Sequence, residues 1–104
     1  MKKRLFKAPS GASISFTEMG MGTAPLGNLY HPISERDAQS TLEAAWKAGI
    51  RYFDTAPFYG LGLAENRLNL FLRGRKRGDY VVSTKVGRLL KVCAPEKQIG
   101  RAHV

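Results

Sequence analysis

The chain is short of cysteine, of histidine, of acid and of long apolar runs. Cys93 is its single cysteine, so no disulfide can close within it and no cysteine cluster can hold a metal. His31 has no second ligand near it in sequence and reads as a loop side chain, so no metal site is expected. No apolar stretch approaches the roughly 18 residues that a membrane-crossing helix needs. Phosphate-cradling Gly-Lys-Ser/Thr is missing as well. Gly60-Leu61-Gly62 and Gly20-Met21-Gly22 each start like a dinucleotide fingerprint, but Glu65 and Pro25 stand where the third glycine belongs.

Acid is outnumbered, with 8 Asp and Glu against 17 Lys and Arg and a net charge of +9. Such an excess raises a nucleic-acid surface as a competing class. The cations are split, however, between Met1 to Lys7 and the run Arg73-Gly74-Arg75-Lys76-Arg77. The second run falls where a helix is expected to end, at the negative end of its dipole. No aromatic interleaving, zinc-finger spacing or RNA-binding signature accompanies it. A small basic nucleic-acid-binding module is therefore the alternative reading, with charge alone behind it, and no specific nucleic-acid partner is expected.

What is present is ordinary for one small soluble domain: 104 residues, 43% hydrophobic and 24% charged. The opening Met1-Lys2-Lys3-Arg4 resembles the charged start of a signal peptide, but Lys7, Pro9 and Ser10 interrupt the apolar core that would follow, so a cytoplasmic location is expected. Residues 4–7 and 12–17 flank Pro9-Ser10-Gly11 as a hairpin does, with Ile14 and Phe16 alternating on one half-buried face. Met19 to Pro25 reads as a short tight strand, and 26–33 as a loop. Ser34 is an N-cap with Glu35 and Asp37 in the first turn. Ala38, Leu42, Ala45 and Trp46 then share a helical face, and Gly49 closes the helix. A second helix is expected over 65–73, ended by Gly74, and a strand over 80–84. The order hairpin, strand, helix, strand, helix, strand makes βαβ units on a parallel sheet, an α/β class.

Function concentrates around Arg51-Tyr52-Phe53-Asp54-Thr55-Ala56-Pro57-Phe58-Tyr59-Gly60. Its aromatic and apolar start suits a buried strand, and a carboxylate and a proline then break it, so the strand is expected to stop at Asp54. Tyr59 follows in the loop, and the next strand leads into Lys85. A β/α barrel carries its active site at the C-terminal ends of its strands, which would put Asp54, Tyr59 and Lys85 on one rim. Singly, each has a plainer explanation: a packed phenol, a turn carboxylate, a solvent-facing amine. It is the constellation that reads as a site. Phe58 could line a substrate pocket or simply pack. A Tyr-x-x-x-Lys pair is not available, because Tyr80 and Lys85 are too far apart for that spacing and fall along one expected strand.

Gly22-Thr23, then Asp54 to Gly60 with Glu65 beyond it, then Ser83-Thr84-Lys85-Val86-Gly87 together resemble the aldo/keto reductases. The resemblance runs from residue 3 to about 90 and is sharpest from Met19 onward. Ala56 to Gly60 and Thr84 to Leu90 are most similar to the aldose 1-dehydrogenase and pyridoxal 4-dehydrogenase branch. The resemblance implies a (β/α)8 TIM barrel that binds NADP or NAD extended, without a Rossmann fold. The implied reaction moves a hydride between nicotinamide and a carbonyl or alcohol, with an aldose, pyridoxal or a small aldehyde as substrate. It implies a catalytic set of Asp, Tyr, Lys and His, of which Asp54, Tyr59 and Lys85 match three, and a nicotinamide-ribose contact at Gly22, Thr23 and Asp54. Such a set suits the chemistry, since an ammonium beside a phenol favours release of the phenolic proton.

A barrel needs about 250 residues and eight strands, so the chain is expected to be an N-terminal fragment with the hairpin, three strands and two helices. Ile99-Gly100-Arg101-Ala102-His103-Val104 is the translation of ATC GGA AGA GCA CAC GTC, a common sequencing adapter. Residues 1–97 are therefore expected to be the natural part and 98–104 read-through, and His103 is not expected to be the fourth catalytic residue. That histidine lies at the end of the fourth strand in the family.

Overall fold

The structure, a computed structural model, describes residues 1–87 together with 90 and 91. Cys93, His103 and the expected read-through at 98–104 lie outside the described residues. The chain opens with β1 (Lys3–Lys7) and β2 (Ser13–Thr17), an antiparallel hairpin in which Phe6 faces Ile14 and Arg4 faces Phe16. Its expected half-buried face is only partly realised. β1 is exposed throughout and so is Ile14, whereas Phe16 packs edge-on against Tyr52 with ring centroids 5.1 Å apart. Burial follows cover, and among the described residues Tyr52 is the aromatic that covers this face.

The strand expected from Met19 to Pro25 is shorter than the sequence indicates. β3 is Met21–Gly22, and Ala24–Gly27 coil at once into a 3-10 turn with Pro25 in its first positions. There the missing proline N–H leaves no bond unmade, so the residue that looked like a strand stop is a turn start. Helix α1 (Glu35–Lys47) begins as its sequence dictates: the Ser34 hydroxyl accepts the Asp37 N–H at 3.0 Å. It ends at Gly49, whose φ of +100° lies in the left-handed region. The Gly49 N–H donates to the Trp46 carbonyl and the Ile50 N–H to that of Ala45, closing the last turn twice.

β4 (Tyr52–Asp54) stops at Asp54. Helix α2 (Leu63–Leu72) starts two residues before Glu65 and precedes a second 3-10 turn (Arg77–Asp79), and β5 (Val81–Ser83) closes the series. β3, β4 and β5 make a parallel sheet with β4 in the middle. Phe53 is fully buried between this sheet and the helices, among Leu42, Leu68 and Phe71, with the Trp46 ring stacked beside it. Among the described residues no helix is long and apolar enough to cross a membrane.

One cation sits inside this core. Arg67, on α2, is buried and its guanidinium is divided among four acceptors. Nε reaches Glu35 Oε2 at 2.9 Å, Nη1 reaches the Leu26 carbonyl at 2.8 Å and Asn28 Oδ1 at 3.2 Å, and Nη2 reaches the Ile33 carbonyl at 2.9 Å. The loop between β3 and α1 is thus tied to α2. The expected basic run is also drawn into the fold. Arg75 donates to the Phe71 carbonyl at 2.6 Å, pairs with Glu43 and lies over the Phe71 ring, and Arg77 donates to the Tyr80 carbonyl.

Candidate active site

Parallel pairing and the two-residue period of a strand decide which side chains meet at the sheet end. Gly22, Asp54 and Ser83 stand side by side across β3, β4 and β5. Asp54 is the last residue of β4 and shares its face with Tyr52, as Ser83 does with Val81. Beyond Asp54 the chain folds into a turn in which the Tyr59 N–H donates to the Ala56 carbonyl and Gly60 takes φ +68°.

This turn rests on the loop after β3 with no space between them. A Cβ added to Gly27 would stand 2.5 Å from the Tyr59 carbonyl carbon, and one on Gly60 would stand 2.6 Å from the Gly27 oxygen. Glycine is required at both places because backbone meets backbone there. Arg67 holds Leu26, the residue before Gly27, so the position of the Tyr59 loop traces back to a buried guanidinium.

Asp54, Tyr59 and Lys85 come together on one rim. Lys85 Nζ donates to Asp54 Oδ2 at 2.8 Å and to the Thr55 carbonyl at 3.1 Å, and it faces the Tyr59 ring 5.0 Å from the centroid. The bond from Lys85 first, and that from Ser83 second, hold the Asp54 carboxyl below its ordinary pKa against a smaller opposing effect of burial. The Lys85 ammonium is raised above its ordinary value, by Asp54 first and the Tyr59 phenol second. Among the described residues Lys85 makes its close hydrogen bonds to Asp54 and Thr55, and the phenol acts on it from farther off. Both ends of the ion pair are partly open to solvent, which makes it an accessible charge pair rather than a structural one.

Phe58 lines the adjoining cleft, of about 250 Å³, together with Ala56, Pro57, Tyr59, Lys85 and Val86. Gly22 lies exposed at the strand end beside Asp54, and a Cβ there would meet nothing within 4 Å. Thr23 is placed differently. It is fully buried, its N–H and hydroxyl both donate to the Asp54 carbonyl at 3.0 and 2.9 Å, and its own carbonyl accepts from Leu26. Its side chain joins β3 to β4 and does not face the cleft.

Three residues in this arrangement escaped the sequence reading. Ser83 donates to Asp54 Oδ1 at 2.6 Å, Tyr52 lies 2.9 Å from the Ser83 hydroxyl, and Thr84 donates to Glu65 at 2.9 Å, pinning the end of β5 to α2. The signal for the first two was available in the alternation of Tyr52 with Asp54 and of Ser83 with Lys85.

The Aldo/keto reductase family model matches residues 18–103. A D-threo-aldose 1-dehydrogenase from a Pseudomonas species is 52% identical over 84 residues, which is 81% of this chain and 26% of that protein. A pyridoxal 4-dehydrogenase from Microbacterium luteolum is 51% identical over 84 residues, 81% of this chain and 24% of that protein. The solved structure of aldo-keto reductase AKR11C1 from Bacillus halodurans, in its holo form, superposes with a TM-score of 0.69 at 35% identity, over 88% of this chain and 28% of that one. The architecture is accordingly α/β, an incomplete (β/α)8 barrel. The chain spans about a quarter of the length of the curated relatives it matches.

Proposed function

We propose, for a chain that belongs to the aldo/keto reductase family of oxidoreductases, that the protein carrying it is an NAD(P)-dependent reductase or dehydrogenase of small carbonyl and sugar substrates. Aldoses, pyridoxal and small aldehydes are the substrate class, since the chain is about half identical to enzymes named for aldose and pyridoxal oxidation. The observation that carries the reading is the 2.8 Å Lys85–Asp54 pair facing the Tyr59 ring at the mouth of a cleft.

The residues present fit a nicotinamide cofactor at one edge: bare Gly22 backbone pairs with Asp54 across the strand ends, with nothing within 4 Å of where a side chain would stand, a place where a ribose can come close. When bound, NAD(P) would supply or accept the hydride. Tyr59 gives a proton to the carbonyl oxygen in reduction, or takes it from the alcohol in oxidation. Lys85 faces the phenol ring as a positive charge beside the reacting groups, and Asp54 keeps that ammonium charged and aimed. Phe58 forms part of the apolar wall against which the substrate rests. The family resemblance implies a fourth group, a histidine at the end of a fourth strand, and on that ground we also propose that these 104 residues do not turn over by themselves. A cytoplasmic location goes with this proposal, since the reaction draws on a nicotinamide cofactor.

In the full-length protein, Tyr59→Phe is expected to lower kcat by about a hundredfold or more while the Kd for NADPH or NADH stays within about twofold. Near-normal turnover in that variant would remove Tyr59 as the acid. Titrating both cofactors into the unmodified protein decides between NADP and NAD.

A further inference from the structure

Resting on the assignment of Asp54 and Lys85 just made, we propose that Ser83 and Tyr52 are positioning residues, forming a hydrogen-bonded line that fixes the Asp54 carboxylate and leaves one oxygen for Lys85. The line follows from the sheet. Tyr52 pairs with Val81 and Asp54 with Ser83, so on the shared face the Ser83 hydroxyl falls between the phenol of Tyr52 and the carboxylate of Asp54. It lies 2.9 Å from the first and 2.6 Å from the second.

The direction of each bond is determined. An ionised carboxylate only accepts, and a serine hydroxyl has one proton to give, so Ser83 donates to Asp54 Oδ1 and Tyr52 must donate to Ser83. A carboxylate torsion is broad when nothing holds it. With Oδ1 engaged by Ser83, Oδ2 is left for Lys85 at 2.8 Å, and the ammonium is aimed at the Tyr59 ring. Tyr52 is itself held by the edge of Phe16, which gives the hairpin a connection to the site. The groups facing Asp54 are Lys85 and Ser83 directly and Tyr52 through Ser83, with Tyr59 on the far side of the ammonium. The Ser83 bond is also the second cause of the lowered Asp54 pKa, after Lys85.

In the full-length protein, Ser83→Ala is expected to lower kcat about tenfold, as for loss of one charge-assisted hydrogen bond, with cofactor Kd within about twofold. Ser83→Thr, which keeps the hydroxyl, is expected to restore most of the rate. Tyr52→Phe is expected to lower kcat about threefold, and adding it to Ser83→Ala to lower it no further, because Tyr52 acts only through Ser83. Wild-type kcat in Ser83→Ala, or additive losses in the double variant, would overturn the proposal. Should Ser83→Ala lack a melting transition, Tyr52→Phe decides: wild-type turnover there overturns the proposal, and an about threefold loss of kcat with cofactor Kd within about twofold and an unchanged melting transition supports it. An active Tyr59→Phe would instead sink the catalytic reading itself. An inactive Tyr59→Phe beside a fully active Ser83→Ala sinks only the role given to Ser83.

Discussion

The two sides of β4 are held in different ways. Toward α1, α2 and the loop after β3, Phe53 is fully buried, the Arg67 guanidinium has four acceptors, and Gly27 abuts the Tyr59 backbone. Toward β5, every strand residue remains partly exposed and Val86 is 97% exposed, while Leu5 and Phe6 of the hairpin lie open. The candidate site straddles the boundary. Asp54 and the Tyr59 loop belong to the held side, whereas Lys85 leaves the end of β5 and reaches back. A fixed acid and phenol meet a cation whose place depends on its bonds to Asp54 and Thr55.

Packing gives the largest test of this contrast. In the full-length protein Phe53→Ala is expected to cost about 4 kcal/mol, since a buried ring is replaced by a cavity, against about 1 kcal/mol for Val82→Ala. Urea midpoints of the two variants check it, and equal losses would erase the distinction. Charge gives the next. Arg67→Ala is expected to cost about 3 kcal/mol, because the Leu26 and Ile33 carbonyls lose their donor. Arg4→Ala, which breaks the exposed Arg4–Glu18 pair, is expected to cost less than about 0.5 kcal/mol. Arg67→Lys is expected to recover only part of the loss, since an ammonium cannot reproduce the fork.

The smallest effect is in titration. Asp54 has a lowered pKa, so the stability its bonds contribute is present above the unfolded value, about pH 4, and is lost as the pH falls through the lowered folded value. Lys85 has a raised pKa, so its contribution is present below 10.5 and is lost only as the pH rises through the higher folded value. The pair is therefore expected not to titrate between these limits. Carbon NMR of the Asp54 carboxyl is expected to show a midpoint below the 3.8 of a free aspartate, moving upward in Lys85→Met. A native midpoint at or above 3.8 would mean that the pair does not form in solution.

Much of this was legible from the residues, and the reasons are local. Ser34, Gly49 and the spacing of Ala38, Leu42 and Trp46 specify α1 without tertiary help, and the break at Asp54-Thr55-Ala56-Pro57 marks where β4 ends. What failed depended on neighbours. Pro25 looks the same before a strand end and in a 3-10 turn, and Ile14 alternates as a half-buried residue would, although burial needs a cover the pattern does not contain. Arg67 stands outside both basic runs and belongs to no motif. Its place on the apolar face of α2, between Ala64 and Phe71, was the available sign that it goes inside.

The contact of Gly27 with Tyr59 and Gly60 also bears on motion. Two segments whose backbones touch, one of them anchored by Arg67, cannot swing past each other, and the loop carrying the phenol has to travel with the loop after β3 or stay where it is. The Tyr59 loop is therefore not expected to move as an independent gate. Admission and release of a ligand at this rim would then be timed by segments other than this one, and a slow step in turnover would be sought on the β5 side of the cleft, where Lys85 and Val86 form the wall.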